Sequence, residues 1–285
     1  MRIGVLVSHL RLEEKLLLEA LHAQGIEHDR VTADELVFSL GGKQVPRYDA
    51  VLVRCTNPSQ ALYAARMLNQ QGVATVNSYD VIATCSDRLL TSTVLRQHGV
   101  PAPHTVVAFD AESALAAIDA LGYPVVMKSL HGPWGRLLAR VNDRYGAEAL
   151  LEHKHVLGGY EHSTFYIQEY VRKPGRDIRS YVVGDQTVAA IYRRSSHWIT
   201  NASHGAQASS CPITARIEEL SLAAARAVGG GCVAVDILEA DDGRLLVSEV
   251  NAAPEFRDGM APTGVDIAAQ WVRYALEVAA MQSGR

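Results

Sequence analysis

From Met1 to about Asp87 the sequence alternates short β-rich runs with helical stretches, and this order restricts the fold more than any other feature. "RIGVLV" reads as a strand, "RLEEKLLLEALHAQG" as an amphipathic helix stopped by Gly25, and "AVLVRC" as a second strand. "NPSQALYAARMLNQQG" then reads as a helix with Asn57 as its N-cap and Pro58 at its first position. Strands that alternate with helices cross over to lie parallel, which defines an α/β unit. The first strand-to-helix turn, "VSHLRLEE", lacks the glycine fingerprint of a dinucleotide site.

A second block opens with the helix "SDRLLTSTVLRQHG", ended by Gly99 and Pro101. A strand over residues 104–108, a helix over residues 110–121 capped by Asp110, and the strand "PVVMKS" follow. "HGPWGRLLARV" is a glycine-bearing turn running into another strand, and a helix continues to about Val156. In the third block, "TFYIQEYV", "DIRSYVVGDQTVAAIYRR" and "GCVAVDILEADDGRLLVSEVN" are strand runs broken by "GD" and "DDG" turns, so antiparallel hairpins are expected. One helix is expected near residues 214–228 and another at the end. The chain thereby divides into residues 1–87, 88–167 and 168–285, a parallel α/β domain followed by two α+β subdomains.

At 285 residues, with 48% hydrophobic and 20% charged residues, the chain is an ordinary soluble globular protein of more than one folding unit. A net charge of −4 argues against a nucleic-acid partner and for a small ligand. Cys55, Cys85, Cys211 and Cys232 are far apart and form no C-x-x-C pair, which suggests a reducing cytoplasm rather than a disulfide framework or zinc ribbon. The sequence passes from Met1-Arg2 straight into a strand, without a signal peptide, and has no apolar run of about 20 residues to span a membrane.

Asp236 ends the run "CVAVD", and a hairpin through residues 241–243 brings it beside "LLVSEVN", where Glu249 and Asn251 share one strand face. Three hard oxygen donors, short of a full cage, suit Mg²⁺; a solvated sheet face is the alternative. Lys128 follows the apolar "PVVM", where a half-buried lysine calls for an anion. Gly132 and Gly135 let a backbone approach a phosphate, with Trp134 as a lid, although "GPWG" alone is more often a surface turn. "YIQEYV" can offer its backbone to an adenine edge or be simply a buried strand. Arg179, Arg193 and Arg194 add guanidinium groups suited to phosphate or carboxylate, while His153 and His155 diverge on a helix and read as surface residues.

Together these features resemble the ATP-grasp superfamily. The runs "IQEYVRKPGRDIRSYVVGDQTVAAIYRR", "GGGCVAVDILE" and "EVNAAPEFRDGMAPTGVDIA" resemble its RimK-like branch, and within it the ligases of lysine biosynthesis. The resemblance covers nearly the whole chain and is strongest over residues 168–267. It implies an α/β ATP-grasp fold, with an N-terminal Rossmann-like domain and two subdomains that clasp ATP. It further implies that Arg88 and Lys128 contact the ATP phosphates, and that Gly132, Pro133, Trp134, Gly135, Arg136, Leu137 and Leu138 form the loop closing over them. Gln168, Glu169, Tyr170 and Val171 would frame the adenine, with Asp177 and Arg179 nearer the ribose and phosphates and Asn201 adding a polar contact. Arg193 would face the transferred phosphoryl group, Arg194 would be a further catalytic residue beside it, and Asp236, Glu249 and Asn251 would hold Mg²⁺. The family usually carries a lysine where this chain has Arg88, which keeps the charge but not the point-donor geometry.

The implied reaction is an ATP-dependent, ADP-forming ligation through an acyl phosphate. It would join α-aminoadipate to the C-terminal glutamate of a small acidic amino-group carrier protein. Such chemistry needs cations around the phosphoryl oxygens and no side-chain nucleophile. Glutamate in place of α-aminoadipate, as in arginine biosynthesis, and addition of glutamate to a protein C-terminus are alternatives. A non-catalytic ATP- or amino-acid-sensing module is another, against which the intact acidic triad argues. Beyond Asn251, Thr263 with Gly264 reads as the cap of the last helix, whose N-terminal N–H groups, together with Phe256, Arg257 and Arg194, would take a substrate carboxylate. The other reading leaves Thr263 a plain cap and Arg257 solvated. A homo-oligomer is expected.

Overall fold

The computed structural model describes residues 1–40, 47–131, 138–158, 163–201 and 205–283. Its first unit comprises β1 (Arg2–Val7), α1 (Leu12–Ala23), β2 (Glu27–Thr32), β3 (Ala50–Val53), α2 (Pro58–Gln70), β4 (Ala74–Val76) and α3 (Tyr79–Ser86). The strands form one parallel sheet in the order β2-β1-β3-β4. Asn57 caps α2 as its side chain dictates: Oδ1 accepts from the Ser59 and Gln60 N–H groups at 3.0 and 3.4 Å, and Pro58 presets the first turn. The sequence pattern missed β2 and the three-residue β4; β2 reads "EHDRVT" because it is the sheet's edge and meets solvent.

The second unit comprises α4 (Arg88–Gln97), β5 (Thr105–Ala108), α5 (Ala111–Leu121), β6 (Val125–Lys128), β7 (Ala139–Val141), α6 (Arg144–Leu157) and β8 (Phe165–Glu169). Its sheet runs β5-β8-β6-β7, every pair antiparallel. Ala114, Ile118 and Leu151 from the two helices pack on Val125, Met127 and Ile167. The expected border between residues 167 and 168 falls inside β8, whose Gln168 and Glu169 still pair with Thr105 and Val125.

The third unit comprises β9 (Arg176–Val183), β10 (Gln186–Arg194), β11 (Gln207–Ser210), α7 (Ala215–Ala227), β12 (Cys232–Glu239), β13 (Leu245–Asn251), α8 (Arg257–Thr263) and α9 (Ile267–Ser283). Its antiparallel sheet runs β11-β10-β9-β12-β13, and Gly184, at φ +60°, makes the tight β9–β10 turn that the sequence announced. One face packs on α7 through Ile217, Leu220 and Ala224. The other face gives Tyr181 and Val183 to a core shared with Trp271, Val272 and Ala275 of α9 and with Val5, Leu17, Leu21 and Leu52 of the first unit. A single apolar core therefore joins the two ends of the chain. No helix among the described residues is long and apolar enough to cross a membrane, and the four cysteines are free thiols.

A buried cation fixes that junction. Arg54, just beyond β3, is fully buried; its Nε donates to Glu14 Oε1 at 3.2 Å and its Nη2 to the Pro254 carbonyl at 2.9 Å. The guanidinium lies 4.9 Å from the Trp271 ring centroid and 5.6 Å from that of Phe256. Arg11 holds Glu14 from the other side, at 2.7 and 3.0 Å. Asn77 adds a second tie: its Oδ1 accepts from the Cys232 N–H at 2.7 Å, and its Nδ2 donates to the carbonyls of Cys232 and Ala252. Neutralising one partner of a buried pair strands the other, so Glu14→Gln is expected to lower unfolding stability by about 3–5 kcal/mol. Urea denaturation measures this, and a loss below about 1 kcal/mol would show that Arg54 is held by its aromatic and carbonyl contacts alone.

Candidate active site

Period-two alternation and register place a row of charges across the third sheet. Asp177 and Arg179 share one face of β9. Arg193 on β10 stands opposite Asp177, Asp236 on β12 opposite Arg179, and Glu249 on β13 opposite Asp236. The register between β12 and β13 shifts after Asp236, so that Ser248 is the extra residue of a bulge beside Glu249. Asn251, two residues further, returns to the same face.

These groups pair in a chain. Arg193 donates Nε and Nη2 to Asp177 at 2.7 and 2.8 Å and approaches Asp236 at 3.3 Å, while Arg179 grips Asp236 with two bonds of 2.7 and 2.8 Å. Burial opposes the charge on Asp236, but the two guanidiniums outweigh it and hold the carboxyl at about 2. Lys173 donates to Thr200 Oγ1 at 2.5 Å, and Thr200 in turn donates to Asp177.

Above this row lies a cavity of about 980 Å³, walled by all three units. Lys128, at the end of β6, reaches Ser248 Oγ at 3.4 Å. Its burial, together with Arg88 and Lys173 nearby and only partly offset by Glu249, brings its amine down to about 8. Burial lowers Lys173 as well. Arg88 opens α4, which Asp87 caps through Leu89 and Leu90; its Nη1 donates to the Ser129 carbonyl at 2.7 Å and its Nη2 lies 3.8 Å from Glu249. At the apolar end, Val126, Leu138, Val171, Trp198 and Leu238 line the wall. Gln168 there donates to Thr105 and Tyr166, Glu169 accepts from the His104 N–H, and the Tyr170 ring meets Trp198 edge-on.

Of the residues that the sequence pointed to, Arg88, Lys128, Leu138, Gln168, Glu169, Tyr170, Val171, Asp177, Arg179, Arg193, Asn201, Asp236, Glu249 and Asn251 all line this cavity. Gly132, Pro133, Trp134, Gly135, Arg136 and Leu137 lie outside the described residues. Five expectations need correction. Arg194 follows Arg193 on a strand, so it points to the opposite face and is exposed. Phe256 is fully buried under Arg54, and Arg257 is exposed and paired with Asp258 at 3.0 Å. Thr263 and Gly264 do not cap the last helix. Thr263 closes α8 by donating to the Gly259 carbonyl, Gly264 ends that helix at φ +70°, and Asp266 caps α9 by accepting from the Ala269 N–H at 2.9 Å. None of the five lines the cavity. Sequence reading missed Lys173, Trp198, Ser248 and Glu255, which do.

A three-unit clasp around a cavity that sets lysines against paired carboxylates on a bulged hairpin defines an ATP-grasp architecture. Comparison with known proteins agrees. Residues 85–275 match the RimK-like ATP-grasp domain and residues 3–84 the LysX preATP-grasp domain. The chain is 33% identical to the glutamate–LysW ligase ArgX of Sulfurisphaera tokodaii, over 97% of this chain and 99% of that one. It is 31% identical to the α-aminoadipate–LysW ligase LysX of Saccharolobus solfataricus, over 92% of this chain and 99% of that one. The crystal structure of a RimK domain ATP-grasp protein from Sphaerobacter thermophilus superposes with a TM-score of 0.81 at 29% identity, covering 97% of this chain and 100% of that one. The chain belongs to the RimK-like ATP-grasp family and is an ATP-dependent, ADP-forming ligase.

The shift at Lys128 has a definite sign. Its folded value, about 8, lies below the ordinary 10.5, so below pH 8 the folded state carries a charged amine at a cost that the unfolded chain does not bear. That cost is relieved as pH rises from about 8 to 10.5. Lys128→Met is therefore expected to raise the urea midpoint at pH 7, with the gain shrinking through pH 8–10 and gone above 10.5. A gain independent of pH would assign the effect to packing instead.

Proposed function

We propose that the cavity takes Mg-ATP, and that the chain activates the C-terminal glutamate of a small acidic carrier protein, like the LysW named for its relatives, and joins it to the amino group of an acidic amino acid. The observation that carries this reading is the convergence of Asp236, Glu249 and Asn251 with Lys128 on one wall. The donor set fits the metal. Among the described residues no three His, Cys, Asp or Glu side chains cluster as a self-sufficient metal cage, whereas two carboxylates and an amide leave coordination positions for phosphate and water, as Mg²⁺ requires. The buried amines fit the nucleotide, because an anion beside Lys128 and Lys173 relieves what burial costs them.

When bound, Mg²⁺ and ATP supply charge neutralisation and the phosphoryl group. This chain's residues do the rest. Lys128 and Arg88 would hold phosphate oxygens, Arg193 and Arg179 fix Asp236 on the metal-facing wall, and the wall of Val126, Leu138, Trp198 and Leu238 would shelter the base. Asp177 and Thr200 keep Arg193 and Lys173 in place. The sequence reading gives α-aminoadipate as the amino acid, in lysine biosynthesis. Glutamate, in arginine biosynthesis, is the second reading, favoured by the glutamate-specific relative at 33% identity. The two differ by one methylene, worth about 1–3 kcal/mol in a pocket. Free cysteines and biosynthetic relatives accord with a cytoplasmic reaction.

ADP release from Mg-ATP, with an acidic peptide ending in glutamate and each amino acid in turn, tests the reading. The higher kcat/KM names the substrate, and no ADP with either would overturn the ligation. Glu249→Gln is expected to reduce ADP formation about a hundred-fold or more with an unchanged melting temperature. Full activity in that variant would remove the metal assignment.

A further inference from the structure

The segment after Asn251 is held by two backbone carbonyls and one buried ring. The Pro254 carbonyl accepts from buried Arg54, the Glu255 carbonyl accepts from the Tyr181 hydroxyl at 3.3 Å, and Phe256 is locked in the core. This anchoring presents the Glu255 carboxylate to the cavity. Its ion pair there is long, 3.8 Å to Arg11. Asp258, by contrast, is held by Arg257.

Glu255 also lines a second, small cavity of about 20 Å³, together with Arg179, Tyr181, Arg193, Ala208 and Asp258. A space of that size accepts one water-sized group, which is the size of an ammonium. Its lining combines two arginines from the sheet with two acidic residues from the segment after β13. Arg179, Arg193 and Glu255 belong to both cavities, so the small one adjoins the large one beside Asp236. An acidic α-amino acid carries the complementary charges, one ammonium and two carboxylates.

We propose that Glu255 receives the amino group of the incoming acidic amino acid and takes a proton from it, with Arg179 and Arg193 facing its carboxylates. The proposal rests on the ligase reading above. The ammonium gives one proton to the Glu255 carboxylate, and the freed lone pair attacks the acyl carbon of the activated glutamate. The new bond is carbon to nitrogen. The carbon–oxygen bond to phosphate breaks, and phosphate leaves with that electron pair and takes up the second nitrogen proton. Burial, with Glu13 adding to it, raises the Glu255 carboxyl, which makes its carboxylate a stronger proton acceptor.

Hydroxylamine separates this role from activation, because it attacks an acyl phosphate as a neutral nucleophile and needs no ammonium site. Wild type and Glu255→Gln are compared in two reactions with Mg-ATP and an acidic peptide ending in glutamate: ligation of the amino acid, and hydroxamate formation with hydroxylamine. The variant is expected to lose about a hundred-fold in kcat/KM for the amino acid. Its hydroxamate rate, KM for ATP and melting temperature are expected to stay at wild-type values. Wild-type kcat/KM for the amino acid in the variant overturns the proposal, and so does a parallel loss of both reactions, which places Glu255 in activation or folding. Absence of hydroxamate and ADP from the wild-type enzyme overturns the ligase reading itself, and this proposal with it.

Discussion

The charge row Asp177, Arg193, Asp236, Arg179 is the constraint on which the cavity-bearing third sheet depends. Four ionised groups are taken out of water there, which is tolerable only because each is met at hydrogen-bond distance by an opposite charge. Three strands have to keep their register for those bonds to form, and a slip of one residue would turn every member to the other face. What the row costs in desolvation it returns as geometry. Asp236 is kept ionised at any physiological pH and is aimed at the same wall as Glu249 and Asn251.

A second constraint joins this sheet to the first unit. Arg54 is fully buried between Glu14, Trp271 and Phe256, and its Nη2 donates to the Pro254 carbonyl. Asn77 makes three bonds to the ends of β12 and β13. Gly231 has to be glycine at this junction, because a Cβ there would sit 2.1 Å from Asn77 Oδ1. The two ties meet the chain at Ala252 and Pro254, so the first unit fixes this wall of the cavity.

Much of this was legible because the signals were local and redundant. Asn57-Pro58, Asp110 and Thr214 each cap a helix where the pattern placed one. Alternation plus a "DDG" turn sufficed to bring Asp236 beside Glu249. Ser248 was invisible, since a bulge is a register shift that alternation cannot encode. Lys173 and Glu255 lie in loops whose direction only tertiary contacts set. The Arg194 error was avoidable, because period two already separates it from Arg193. At Thr263-Gly264 the ambiguity is intrinsic: one helix ends and the next begins within four residues, and Thr, Gly and Asp all occur at such junctions.

Arg88 shows how a departure from the family pattern can be absorbed. A lysine ammonium is a single point of charge, whereas the guanidinium fork spreads its donors over a plane. Here one arm is spent on the Ser129 carbonyl at 2.7 Å, which ties the start of α4 to the strand that ends in Lys128, and the other lies 3.8 Å from Glu249. The same side chain thus braces the wall that carries Lys128 and balances a carboxylate of the hairpin opposite. Because that carboxylate also holds up the charge of Lys128, Arg88 acts on it twice, directly as a like charge and indirectly through Glu249. A lysine in this place could make the second contact or the first, but its one nitrogen would not span both.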